Sequence, residues 1–399
     1  AGRAAFSDYL ESGLRRRLER FAALLTEALD TEPATAAELV DAAKDIAAHR
    51  LSRQKDRATE TAARLLRWLA AAESDTEETT SFEHAARRYA EDISLVDQAR
   101  GVLYRDDLGP VLAPAVRLLL TRATAVRERF NERFGKLAAG YFEAQSELDG
   151  IVPVEDILER VVAPIAKQSR VLLLVLDGLS FAVFHHLLGG LLEKDWEPCV
   201  EEARGRADVG VAVLPGVTHA SRASLLCGRL QADGSQSVER RGLAGHPALF
   251  PGERRLPPRL LHKADLRGEG GLSEEAARVL LNANQRVVAV VHNSVDDVLH
   301  TGDQLRLDWA IQELRYLEDV LDAASEAKRT LIIVSDHGHL PESGTEREHA
   351  KDAKSRYRAA DEKAPGAGEV LVKGKRVLTK SGEVIVQWSE GLRYGSLAA

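Results

Sequence analysis

The chain has 399 residues, room for two or three domains with self-sufficient cores, and 44% hydrophobic with 29% charged residues is an ordinary globular balance. A formal net charge of −8 excludes a broad basic surface for non-specific nucleic-acid binding, though not a small basic groove. Two cysteines, Cys199 and Cys227, exclude a multi-disulfide scaffold and leave one bridge open; with no apolar run of about 18 residues and no charged-then-apolar leader, the expectation is a cytoplasmic protein with no membrane segment.

In chain order, the first 150 or so residues predict helices. LESGLRRRLERFAALLTEAL (10–29) and LGPVLAPAVRLLLTRATAVRERFNERFGKLAAGYFEAQ (108–145) space apolar residues three and four apart, with Arg and Glu between. Pro33 and the polar run Ser74–Ser81 read as connections. The simplest role for this half is a helical bundle that packs on the other half or on a partner protein; DNA binding is the alternative.

After Ile151 the period changes. VLLLVL (171–176), VGVAVL (209–214), VVAVVH (287–292) and TLIIVS (330–335) are short continuous apolar runs, most of them rich in β-branched residues. Helical patterns lie between them, as in EEAARVLLNAN (274–284) and DWAIQELRYLEDVLDAASEA (308–327). This alternation predicts a doubly wound α/β fold, a mostly parallel sheet with helices on both faces. GEVLVKGKRVLTKSGEVIVQW (368–388) predicts a small antiparallel hairpin set, and 231–270 and 341–368 read as polar loops. The expected division is a helical domain over 1–158 and an α/β domain over 159–399.

Ligands of open parallel sheets bind beyond the carboxyl ends of the strands. Those ends carry Asp177, then Thr218 opening a helix, then Asp296 and His300, then Asp336 and His337. Singly each has a plainer explanation: an Asp-Gly turn, an N-cap threonine, a loop acid, a satisfied histidine. Together they supply three carboxylates, two imidazoles and a hydroxyl, oxygen and nitrogen donors suited to Zn²⁺ or Mn²⁺. Two such ions about 4 Å apart clamp a phosphoryl group, and a hydroxyl bound to one becomes a nucleophile near neutral pH. The N-terminus of the helix behind Thr218 favours a phosphate. The i to i+4 spacing to His300 favours Asp296 over Asp297 as ligand.

Asp-Gly after a strand, Thr opening a helix, Asp-x-x-x-His, then Asp-His-Gly, in that order, resembles the alkaline phosphatase superfamily. Within it, VLLLVLDGLS, LPGVTHASRASLLCG, VHNSVDDVLH and IIVSDHGH are most similar to the PglZ domain family of bacterial BREX/Pgl phage-defence systems, as are FNERFGKLAA, VEDILERVVAPIA and WSEGLRYG. The likeness is strong over about 155–339 and loose over the helices. It implies an alkaline-phosphatase-like sheet and two divalent ions, Zn²⁺ first and Mn²⁺ as the alternative. Asp177, Thr218, Asp336 and His337 would form one metal site, Asp296 and His300 the second. Thr218 would be the nucleophile, phosphorylated and then freed by water. Ser221, Arg222 and Arg356 are the substrate-binding candidates, with Arg393 a further cation of the same kind.

The resemblance also implies one more histidine for the second site, in a segment beyond WSEGLRYG, whereas the sequence ends at Ala399. His339 fits better as an orienting residue than as that ligand, and His349 is the remaining candidate. The expectation is therefore a catalytic domain short of its C-terminal end. The function implied is a phosphatase or phosphodiesterase acting on a phosphate ester, such as a nucleotide or nucleic acid, with other phage-defence proteins as partners. The alternatives are a catalytically weak or inactive assembly module and a phosphotransferase with the same ligands.

Overall fold

Apolar residues on one face of each N-terminal segment produce six helices in the computed structural model, which describes residues 6–30, 36–74, 80–105, 107–200, 205–249, 256–293, 310–339, 346–350, 357–360 and 363–396. The helices are α1 (Glu11–Asp30), α2 (Ala36–Ala47), α3 (Gln54–Ser74), α4 (Phe82–Arg88), α5 (Ser94–Arg105) and α6 (Gly109–Ala144). Two compact units result, 1–79 with 88–133, and 80–87 with 134–399. In the first, Phe21, Leu25, Leu39, Ile46, Leu65, Leu69, Leu112 and Leu119 form one core. A buried bidentate pair joins two of its helices: Arg127 Nε and Nη2 each donate to an Asp97 oxygen at 3.0 Å. Compactness changes at residue 134, inside α6, while the sequence period changes at 151. The connection expected at Pro33 lies outside the described residues.

The second unit is built on a four-stranded parallel sheet of order β4 (Arg259–Leu261), β5 (Val287–His292), β2 (Arg170–Leu176), β6 (Arg329–Val334). Strand β2 is central and apolar on both faces. Leu172, Leu174 and Leu176 meet α8 (Phe181–Glu193), α12 (Glu274–Leu281) and the helix Leu317–Glu326. Val171, Leu173 and Val175 meet α7 (Ala163–Gln168), α9 (Thr218–Cys227) and α10 (Gln236–Ala244). Helices thus cover both faces, as the continuous apolar runs require. Strands β2 and β6 pair from Arg170↔Arg329 to Val175↔Val334.

Three expectations need correction. The run 209–214 is not a strand of the main sheet: only β3 (Val209–Val211) is extended, and it pairs with β1 (Ile151–Pro153). An apolar run predicts a buried strand but not its partner. Leu214 instead bridges Val377. Second, 231–270 is not simply loop, since it holds α10, strand β4 and the short α11 (Lys263–Leu266). Ser235 starts α10 by accepting from Val238 N at 3.4 Å, a cap signal present in the sequence. Third, 341–368 includes β7 (Glu346–Ala350) and β8 (Tyr357–Arg358).

The hairpin set is present as β9 (Glu369–Lys373) and β10 (Glu383–Gln387), antiparallel, with β8 on the outer side of β10. Gly374 (φ 139°) and Gly382 (φ 69°) supply the backbone angles at its loop end, where Gly374 N donates to Gly382 O at 3.1 Å. Strand β11 (Leu392–Ser396) runs parallel to β7. Cys199 and Cys227 form no disulfide. Among the described residues no helix is long and apolar enough to cross a membrane.

Candidate metal centre

The carboxyl ends of β2 and β6 bring two acids side by side. Asp177 follows β2, where Gly178 adopts φ 74° to turn the chain into α8. Asp336 follows β6, and its Oδ1 accepts from Gly178 N at 3.2 Å and His337 N at 3.0 Å. Both acids are fully buried and His337 is nearly so. One donor atom from each of Asp177, Asp336 and His337 lies within 4.8 Å of the others.

Hydrogen bonds sort the carboxylate oxygens into held and offered ones. Asp177 Oδ2 is held by Arg222 Nη1 at 2.7 Å and Asn293 Nδ2 at 2.8 Å. Asp177 Oδ1 faces Thr218 Oγ1 at 3.3 Å and His337 Nε2 at 3.4 Å. Asp336 Oδ1 is held by the two backbone N–H groups, while Asp336 Oδ2 has no hydrogen-bond partner among the described residues and lies 3.6 Å from His337 Nε2. Burial, reinforced by the neighbouring Asp177 charge, pushes the Asp336 carboxyl well above the ordinary carboxylate range.

Thr218 is the first residue of α9, with Val217 at the cap position, so its hydroxyl does not cap the helix. That hydroxyl points at the acids instead, 2.9 Å from His337 Nε2. His337 Nδ1 lies 2.9 Å from the Gly338 carbonyl oxygen, which can only accept. Nδ1 therefore carries the proton, and in the neutral ring Nε2 presents a lone pair to Thr218. His339 Nδ1 donates to Gly178 O at 2.8 Å, which ties the Asp-His-Gly-His loop to the turn after β2.

The donor set fits a divalent ion. Asp177 Oδ1, Asp336 Oδ2, His337 Nε2 and Thr218 Oγ1 converge, none is a thiolate, and one is a buried oxygen without a partner. Asp296, its neighbour Asp297, His300 and Arg356 lie outside the described residues. His349 falls in β7 and Arg393 in β11.

The two remaining substrate candidates have partners at the centre itself. Ser221 is fully buried and donates to the Asp336 carbonyl at 2.5 Å. Arg222 pairs with Asp177 and, through Nε at 2.9 Å, with Glu239 Oε1. Sequence reasoning missed Asn293 and Glu239. Asn293 directly follows β5, and inspecting the first residue after every strand would have found it. Glu239 sits on α10 and carries no local signal.

A family model described as the BREX system PglZ alkaline phosphatase-like domain matches residues 157–392. No curated protein matches the chain.

Proposed function

Because the chain belongs to the PglZ family of BREX-system alkaline phosphatase-like domains, we propose that it is a metal-dependent phosphoric-ester hydrolase of phage defence, with Thr218 as nucleophile. Asp177, Asp336 and His337, joined by Thr218, hold one divalent ion, Zn²⁺ in the first instance and Mn²⁺ as the alternative. Asp296 and His300 contribute to a second. When bound, such ions supply Lewis acidity, which lowers the pKa of a coordinated hydroxyl and offsets charge on phosphoryl oxygens.

The chain's own residues do the rest. In the metal-free chain Asp177 Oδ1 and His337 Nε2 are the acceptors that face the Thr218 proton. With the one lone pair of Nε2 engaged by an ion, Asp177 Oδ1, which has a second lone pair, accepts that proton. The N-terminal end of α9 favours the negative charge of a phosphate beside Thr218. Thr218 Oγ forms a bond to phosphorus as the ester oxygen leaves, and water then displaces the threonine oxygen. Burial of both acids excludes bulk water from the side of the centre away from Thr218, which is itself half-buried. The substrate class is a phosphomonoester or phosphodiester, with nucleotides and nucleic-acid ends as the leading examples. Membership in a defence-system family supports other defence proteins as partners.

One observation carries this reading: Asp336 Oδ2, buried and without a partner among the described residues, aimed where Asp177, His337 and Thr218 converge. Metal content by elemental analysis and turnover of chromogenic phosphate esters test it. Thr218→Ala is expected to bind metal within a few-fold of the parent and to lose turnover on the order of 10³-fold or more. Retained turnover in that variant removes Thr218 from the reaction. A chain with neither metal nor turnover after metal add-back is an assembly module and not an enzyme.

A further inference from the structure

Arg222 is a cation placed one hydrogen bond from a carboxylate that the reading above assigns to a divalent cation. Its Nη1 donates to Asp177 Oδ2 at 2.7 Å, and its side chain is only 12% exposed. Alone, such a guanidinium would repel the ion and compete for Asp177. It is not alone. On its other side Nε donates to Glu239 Oε1 at 2.9 Å, and Glu239 is fully buried. His262 Nε2 lies 3.3 Å from the second Glu239 oxygen.

Packing gives no reason for this pair. Helix α10 is already seated on α9 by close approach and by core residues. A Cβ at Gly242 would meet Cys227 Sγ at 2.5 Å, and Leu243 is fully buried. A buried ion pair contributes little that a well-packed apolar pair would not, whereas leaving one partner alone is costly. The charge count gives a reason. Asp177, Asp336 and Glu239 with Arg222 make three carboxylates and one guanidinium, a formal −2 that matches a divalent ion. Removal of Glu239 alone leaves half of it.

We propose that Glu239 is a positioning residue for the metal centre: it holds Arg222 on Asp177 Oδ2 and cancels the guanidinium charge, so that Asp177 Oδ1 is offered to a divalent cation. This rests on the metal reading of the site. It reaches beyond the residues that touch the ion to one on a neighbouring helix, through a guanidinium that is a structural clamp and not a substrate contact.

The test is the dissociation constant of Zn²⁺ and of Mn²⁺ for the full chain, by competition with a chromophoric chelator, beside thermal melts with and without metal. The variants are Glu239→Gln and the double variant R222M/E239Q. Glu239→Gln is expected to weaken metal binding about 10- to 100-fold with native circular dichroism, the range seen when groups behind a ligand are removed. The double variant, which removes the uncompensated cation, is expected to recover most of that loss. A purely structural bolt between α9 and α10 gives the opposite pattern, with lower melting temperatures and unchanged metal affinity. Glu239→Gln binding metal like the parent overturns the proposal, as does a double variant that binds as weakly as the single one. If Glu239→Gln fails to fold, Arg222→Met and the double variant decide: tighter metal binding by Arg222→Met, where the Glu239 charge is no longer cancelled, supports the proposal, and equal affinity of the two overturns it. A parent chain that binds neither ion overturns the metal reading itself, and this proposal with it.

Discussion

The parallel sheet buries charge at both of its ends, in opposite ways. At the amino end, Arg329 opens β6 and is buried with no carboxylate partner among the described residues. Its guanidinium donates to five carbonyls, those of Leu280 (2.7 Å), Gln285 (2.9 Å), Asn282 (3.0 Å), Val171 (3.4 Å) and Val279 (3.5 Å). Three of these belong to the last turn and C-cap of α12, where the helix dipole favours a cation. Burial lowers Arg329 to about 10, so it is still charged at neutral pH. At the carboxyl end two acids crowd together and Asp336 Oδ2 has no partner among the described residues. A buried charge that the backbone satisfies completely is holding the fold. A buried charge left incomplete costs stability and marks the place where something else completes it.

Replacing each residue should therefore move stability in opposite directions. Arg329→Ala strands several carbonyls and is expected to cost about 3 kcal/mol or more in urea denaturation, the largest effect. A cost under about 1 kcal/mol would break the contrast. Asp336→Asn keeps the shape and removes a buried carboxyl whose raised pKa costs stability at high pH, so the metal-free chain is expected to gain about 1 kcal/mol at pH 8. The same variant should lose metal binding, so that stability and metal affinity move apart. If Asp336→Asn destabilises the metal-free chain, the acid is structural after all.

The pH dependence sharpens the same point. In the metal-free chain the Asp336 carboxyl is raised above its ordinary value of 3.8, so the native state keeps a proton that the unfolded chain releases. Its contribution is full below that ordinary value and is lost as pH rises through the elevated native one. Stability should fall with pH across that window, and Asp336→Asn should flatten the fall. An effect similar in size to the Asp336→Asn gain and opposite in sign is expected from Ser221→Ala, a loss of about 1 kcal/mol for one hydrogen bond to the Asp336 carbonyl. Its KM is expected to stay unchanged; a raised KM would return Ser221 to the substrate side.

Strand-end logic made most of the described site legible. Asp177, Thr218, Asp336 and His337 were found because apolar runs mark strands and ligands gather where such strands stop. Three of the four runs are strands of the main sheet. The run 209–214 was misplaced because its composition matches the others, while its pairing with Ile151–Pro153 depends on tertiary position. Strand β4 is three residues long, too short to carry a period. The pairing of Arg222 with Glu239 was not legible, because that acid lies 17 residues away on another helix and no local pattern links the two. The helical half was legible as helices from its 3.6-residue period. The period says nothing about what those helices bind.

One consequence follows from the pairing of β2 with β6. Their ladder runs through Val175↔Val334, and Asp177 and Asp336 each stand two residues further along. The separation of the two candidate ligands is thus inherited from the pitch between neighbouring strands, roughly 4.8 Å, and not from the loops that follow. A ruler of that kind does not stretch by degrees. On heating, metal release should follow the same sigmoid as the loss of sheet signal, with no earlier step in which the centre loosens while the strands stay paired.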